Sequence, residues 1–155
     1  MQQANLDEQA ISTIYGIPYK VTKDIRLAIF QFQILHHVLP TNTNLFRDKI
    51  IQHDECHLCD QKQTMNHLFV SCPDVQIFWQ SFSRWWNVQN DDLLFILNDE
   101  TIIYSFTNDF SQQLGLNLCL IIAKYYINCA SRNGENYYFE AFLAYLKSKL
   151  SIWPL

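Results

Sequence analysis

The chain has 155 residues, 49% of them hydrophobic and 15% aromatic, and a formal net charge of −4. That is enough chain and apolar surface for one domain with its own core. Three glycines and four prolines exclude a turn-rich β-sandwich, and the acidic balance makes the whole chain a poor generic binder of nucleic acid.

The opening MQQANLDEQA is polar and acidic, so no signal peptide is expected. Residues 1–20 read as a weakly structured extension. Ile11, Ile14, Tyr15 and Ile17 form an apolar patch that can dock on the body, and Gly16 and Pro18 are expected to stop any helix there. A helix is predicted from Lys23 to Leu39, capped by Thr22 with Asp24 in its first turn. Leu27, Phe30, Ile34 and Val38 recur at threes and fours, Ile29 and Phe32 widen the stripe, and Pro40 ends it. Thr41 caps a second, shorter helix through Leu45, Phe46 and Ile50.

The segment Cys56–Cys72 then reads C-H-L-C-D-Q-K-Q-T-M-N-H-L-F-V-S-C. Cys56 and Cys59 form a C-x2-C pair that a tight turn can aim at one ion. His67 and Cys72, spaced H-x4-C, return about one helical turn apart. Three thiols and one imidazole are the ligand set of a closed, tetrahedral, structural zinc site, with no position left open for a catalytic water. One structural Zn²⁺ is expected. The competing readings are cysteines gathered by chance in a core and a Cys56–Cys59 disulfide; two ligand pairs coinciding in so short a span favour zinc. Asp54 and Glu55 beside it have no cleft that would make them an acid–base pair. His53 and His57 lack the spacing to replace His67.

Beyond the metal segment, Thr64 caps a short helix bearing His67, Leu68 and Phe69. Ser71 and Pro73 start the next, which runs to about Asn87 with Val75, Phe78, Trp79, Phe82, Trp85 and Trp86. Such a density of rings means a face pressed into a core. An acidic, Asn-rich connection surrounds Leu93–Leu97, and Ile102–Phe106 reads as a short strand or a loop. The longest helix is predicted from Asp109 to Arg132. Its narrow polar stripe is Gln113, Asn117, Lys124, Asn128 and Ser131, so most of it is buried. These polar positions make it a core helix and not a membrane span. Asn133-Gly134 terminates it, and a last helix covers Tyr138–Leu150. The whole, 1–155, reads as a single all-α domain, with a CCHC zinc knuckle at 56–72 inserted between helices and C-terminal helices over 109–150. Three of five cysteines are committed to metal, and Cys119 and Cys129 read as buried free thiols. This suits a reducing, intracellular compartment, nucleus and/or cytoplasm.

Four pieces together resemble a known family. They are F-Q-F-Q-I-L-H-H-V-L-P-T-N (Phe30–Asn42), the C-H-L-C pair, N-H-L-F-V-S-C, and F-W-Q-S-F-S-R-W-W (Phe78–Trp86). They are similar to the zinc-binding C-terminal region that follows the polymerase in non-LTR (LINE-type) retrotransposon reverse transcriptase polyproteins. The resemblance covers roughly residues 25–86. Two positions depart from the family's habit. Gln63, Thr64, Met65 and Asn66 stand where an acidic residue often precedes H-L-F, and His37 stands where a base often follows the first histidine. The resemblance implies an accessory role: holding element RNA or target DNA during target-primed reverse transcription, beside the reverse transcriptase domain of the same polyprotein. The chain is then an excised domain or a fragment standing alone as a small gene. No Y-x-D-D motif, Gly-rich phosphate loop or H-E-x-x-H is present, and no enzymatic activity is expected.

Charge is uneven. Residues 20–84 hold seven bases against six acids, and the remainder four against nine. A surface for single-stranded RNA or DNA is therefore expected near the zinc, from Lys20, Lys23, Arg26, Arg47, Lys49 and Lys62. His36 and His37 point about 100° apart on a helix, so one is expected in the core and one on the surface. Trp85 and Trp86 could stack on bases, with at least one expected in the core. The alternative function is a protein-interaction or homo-oligomerisation module derived from such an element, its zinc purely structural.

Overall fold

The computed structural model describes residues 8–89, 97–105 and 110–151. Its elements are α1 (Glu8–Val21), α2 (Ile25–Leu35), α3 (Asn42–Arg47), a π-helical turn (His67–Ser71), α4 (Pro73–Gln89), α5 (Asp99–Tyr104), α6 (Phe110–Arg132) and α7 (Phe139–Leu150). Among the described residues there is no β-strand, and an isolated antiparallel bridge joins Glu55 to Lys62. The all-α class with an inserted knuckle holds. The Leu93–Ile96 stretch, Phe106, Asp109 and Pro154 lie outside the described residues.

α1 corrects the first expectation, because it continues through Gly16 and Pro18. An interior proline removes one helical hydrogen bond and costs about 3 kcal/mol. Burial offsets this: Ile14, Ile17 and Pro18 itself are buried where α1 packs on α2 and α6.

α2 is shorter than predicted at both ends. Asp24, not Thr22, is the N-cap, its carboxylate accepting the Arg26 amide at 2.9 Å. Thr22 is buried, and its Oγ1 accepts the Asp24 amide at 3.0 Å. At the other end His37 has φ 56°. Its N–H donates to the Ile34 carbonyl at 3.1 Å, and that of Val38 to Gln33 at 3.0 Å. This paired pattern is a Schellman cap. Lys49 (φ 60°) closes α3 in the same way, through Phe46 and Leu45, and Gly134 (φ 68°) closes α6 through Ser131 and Ala130. Two of the three left-handed positions thus carry side chains that glycine would spare. Val38 and Ile50 consequently fall outside their helices and are exposed. His36 and His37 are both exposed, not one in the core.

α4 presses Val75, Phe78, Trp79 and Phe82 inward. Trp85 and Trp86 are half-buried at its far end. Ile102 and Ile103, read as strand or loop, belong to α5, which Asn98 and Thr101 start with a reciprocal capping box. The segment Gln113–Arg132 is long and apolar enough to cross a membrane, but it is the central core element here. Every residue from Leu116 to Lys124 is buried. The polar stripe expected on α6 therefore does not face water: Asn117, Lys124 and Asn128 are all buried.

Lys124 is 0% exposed. Its ammonium donates to Gln31 Oε1 at 2.6 Å and to the Ile103 carbonyl at 3.2 Å, while Gln31 Nε2 donates to the same carbonyl at 2.8 Å. These bonds tie α2, α5 and α6 together. Among the described residues no carboxylate pairs with this lysine, and burial pushes its pKa down to about 7. The unfolded lysine titrates near ~10.4. Above pH 7 the unfolded chain therefore holds a proton that the folded chain lacks, and stability rises with pH. Upward of about pH 8.5 the buried thiols, whose pKa values are raised, act in the opposite sense. Urea unfolding at pH 7.0 and 8.5 should show wild type gaining about 1.5 kcal/mol relative to Lys124→Met over that window. An equal pH response in both proteins would show that Lys124 keeps its charge in the core.

Candidate metal centre

The knuckle begins as a small hairpin. Gln63 N–H donates to the Asp54 carbonyl at 2.8 Å and Cys56 N–H to Gln61 at 2.6 Å, flanking the Glu55–Lys62 bridge. Asp60 (φ 59°) turns the chain, its N–H donating to the Cys56 carbonyl at 3.1 Å. Cys56 and Cys59 sit on this turn, and the Leu58 amide points at Cys56 Sγ, 3.5 Å away.

Thr64 starts the returning helix as expected, its Oγ1 accepting the His67 amide at 3.0 Å. The chain then widens into the π-turn, where Cys72 N–H donates to the His67 carbonyl at 3.1 Å. On an α-helix, residues five apart point about 140° away from each other. The wider i→i+5 turn draws His67 and Cys72 together, which is why their spacing is H-x4-C. Cys72 in turn precedes Pro73 at the start of α4, and its sulfur accepts the amides of Asp74 and Val75. The same residue is therefore the last donor of the cluster and the joint between knuckle and core.

The ligand atoms of Cys56, Cys59, His67 and Cys72 all lie within 4.8 Å of one another. Cys59 Sγ is 3.2 Å from His67 Nε2, which identifies the nitrogen facing the cluster. Tetrahedral zinc with Zn–S near ~2.3 Å and Zn–N near ~2.0 Å needs donors roughly 3.5–3.8 Å apart, so the set fits the ion with little adjustment. All five cysteines are free thiols, which removes the Cys56–Cys59 disulfide reading. Residues 3–79 match the family described as zinc-binding in reverse transcriptase.

The match spans 77 of the 155 residues. No curated protein and no solved structure matches the chain. The matched stretch contains all four donors and ends at Trp79, inside α4. α6 and α7 lie beyond it and pack on α1, α2, α4 and the π-turn.

Burial sets the protonation of the zinc region's donors. It raises the Cys56 thiol, against the amides of Leu58 and Cys59, and pushes Cys72 up to about 12, against those of Asp74 and Val75. It lowers His67, which keeps the imidazole neutral. Buried thiols with these values release their protons only to a cation, so the ion and the fold are coupled.

In the sequence Gln63 reads only as the absence of an acid. It is buried, and its Oε1 accepts the Asn42 amide at 3.2 Å while its Nε2 donates to Ser131 Oγ at 2.7 Å. Its carbonyl accepts from Thr43, and Asn42 Nδ2 reaches the Glu55 carbonyl at 2.9 Å. The P-T-N of the motif is thus the socket in which the knuckle sits. A neutral amide suits this place, because a buried carboxylate would face Ser131 without a cation. His57, rejected as a ligand, bonds the Glu135 carbonyl through Nε2 at 2.8 Å and so ties the knuckle to the α6–α7 turn.

The six bases expected to form one surface are divided. Lys20, Lys23 and Arg26 stand at the start of α2. Arg47, Lys49 and Lys62 stand beyond its far end, with about 15 Å of helix between the groups. Arg26 pairs with Asp24 at 3.3 Å, Arg47 with Asp48 at 3.1 Å and Lys62 with Asp54 at 3.7 Å. Lys149 of α7 also lies near Asp24, adding a base that no local pattern could place there.

Proposed function

We propose that Cys56, Cys59, His67 and Cys72 ligate one structural Zn²⁺, and that the chain is a non-enzymatic accessory domain of a reverse transcriptase polyprotein. In this reading it helps to hold single-stranded RNA or target DNA beside the polymerase during target-primed reverse transcription, in a reducing compartment of nucleus or cytoplasm. The observation that carries it is the closed donor set within the family-matched stretch: four good ligands leave no position for catalytic water. Exposed Arg47, Lys49 and Lys62 stand on or beside the knuckle that this ion would make rigid.

Binding should be weak and mostly independent of sequence. With three or four phosphates engaged, log affinity for single strands should fall against log salt with a slope of about −2 to −3. Arg47→Glu with Lys49→Glu should weaken binding and flatten that slope, with little change in melting temperature. Electrophoretic retardation across a salt series reads both, and absence of any retardation at low salt would end this reading.

A second reading has its own support. Ile25, Ile29 and Phe32 are exposed along one face of α2, and Ile11 and Tyr19 are exposed on α1. Exposed apolar side chains of this kind suit a protein partner or a second copy of the chain. Micromolar self-association by sedimentation, without retardation of nucleic acid, would favour this module.

A further inference from the structure

A cleft of about 440 Å³ opens between α4, the π-turn and α5. Its floor is apolar, made by Trp79 and Ile102 among others, and its rim carries Gln76, Gln80, Ser83 and Asp99. Gln76, Gln80 and Ser83 lie four and three residues apart, on one face of α4. The two glutamines are exposed. The Trp79 ring is held in place, since its Nε1 donates to the Phe69 carbonyl at 2.7 Å.

The lining decides the ligand class. Among the described residues no lysine or arginine lines the cleft, and Asp99 sits at its edge, so a phosphate is disfavoured. Carboxamides donate and accept together, which matches the mixed edge of a nucleobase. Aspartate accepts from exocyclic amino groups, as on cytosine. The apolar floor suits a planar ring taken out of its stack, which is how single strands are usually read. Arg84 is exposed one turn beyond Gln80, where it can meet the phosphate of a nucleotide whose base is inside.

We infer that the α4–α5 cleft is a subsite for one unstacked, amino-bearing nucleobase of a single strand, read by Gln76, Gln80 and Asp99 above the edge of Trp79. This rests on the single-strand reading above and adds a place where base identity matters. Cytosine and adenine are favoured over uracil, which offers no amino group to Asp99.

Two measurements on the zinc-loaded chain test it. In the first, oligo(rC), oligo(rA) and oligo(rU) of equal length are bound at one salt concentration. Wild type should prefer oligo(rC) or oligo(rA) severalfold over oligo(rU). Gln76→Ala with Gln80→Ala should bring the three within about twofold, with the salt slope unchanged because no phosphate contact is lost. In the second, cytidine is titrated to millimolar concentration while the Trp79 indole N–H resonance is followed. It should shift in wild type and stay still in the double variant. Equal homopolymer affinities in wild type together with a static indole resonance would overturn the subsite even if strands bind. Retardation of no strand alongside a cytidine shift lost in the double variant would sink the strand-holding role and leave the subsite standing. A double variant that keeps both preference and shift would place base recognition elsewhere.

Discussion

Cys72→Ser should abolish cooperative folding of the chain, and stripping zinc with a strong chelator should do the same to wild type. Structural zinc contributes on the order of 10 kcal/mol of binding free energy in small sites, against a usual net stability of about 5–15 kcal/mol. The location of Cys72 makes the loss global. Its sulfur caps the start of α4 through the amides of Asp74 and Val75, and its own N–H closes the π-turn on His67. Serine can keep the amide bonds but cannot supply a thiolate to the ion. Without the ion, the donors Cys56, Cys59 and His67 have no shared centre to hold the hairpin against the π-turn. Asn42 and Thr43 then lose their bonds to Gln63, which hold the start of α3, a helix that buries no residue of its own. Metal analysis and thermal melts by circular dichroism check this. A Cys72→Ser protein that melts within a few degrees of wild type would mean that the helical core stands without the knuckle.

What was legible in the sequence was what period and spacing encode. The ring pattern of α4 and the apolar length of α6 carried through, because each is set by many side chains facing one core. The four donors were legible because metal chemistry restricts residue type and spacing together. The misses have specific causes. α1 runs through Gly16 and Pro18 because α2 and α6 cover that face, and tertiary burial outweighs local propensity. His37 and Lys49 close helices where glycine would have announced the end, so both helices stop short of their apolar pattern. Lys124 looked like the water-facing side of α6, but it answers to Gln31, a residue 93 positions away. The π-turn leaves no mark of its own, although the five-residue step from His67 to Cys72 follows from it. The basic residues divided for a similar reason: counting charge along the chain merges groups that a rigid helix holds apart.

Trp79→Ala should be the costliest truncation in the helical core. The ring is 5% exposed and meets Phe78 and Phe82 edge-on, with centroids 5.1 and 5.5 Å apart. Emptying such a site typically costs about 3–5 kcal/mol, which at this chain length lowers the melting temperature by about 10 °C. The indole N–H adds a second effect, because it donates to the Phe69 carbonyl inside the π-turn. Losing it leaves a buried acceptor unpaired, at about 1–3 kcal/mol. Phe69 lies between His67 and Cys72, so this bond also braces the turn that presents two of the donors. Trp79→Phe weights the second effect more heavily, since it keeps a six-membered ring in the site and deletes the donor together with the indole's smaller ring. It should melt a few degrees below wild type yet surrender zinc to a chelator measurably faster. An unchanged midpoint for Trp79→Ala would contradict the packing, and wild-type zinc release from Trp79→Phe would show that the π-turn holds its shape without the indole.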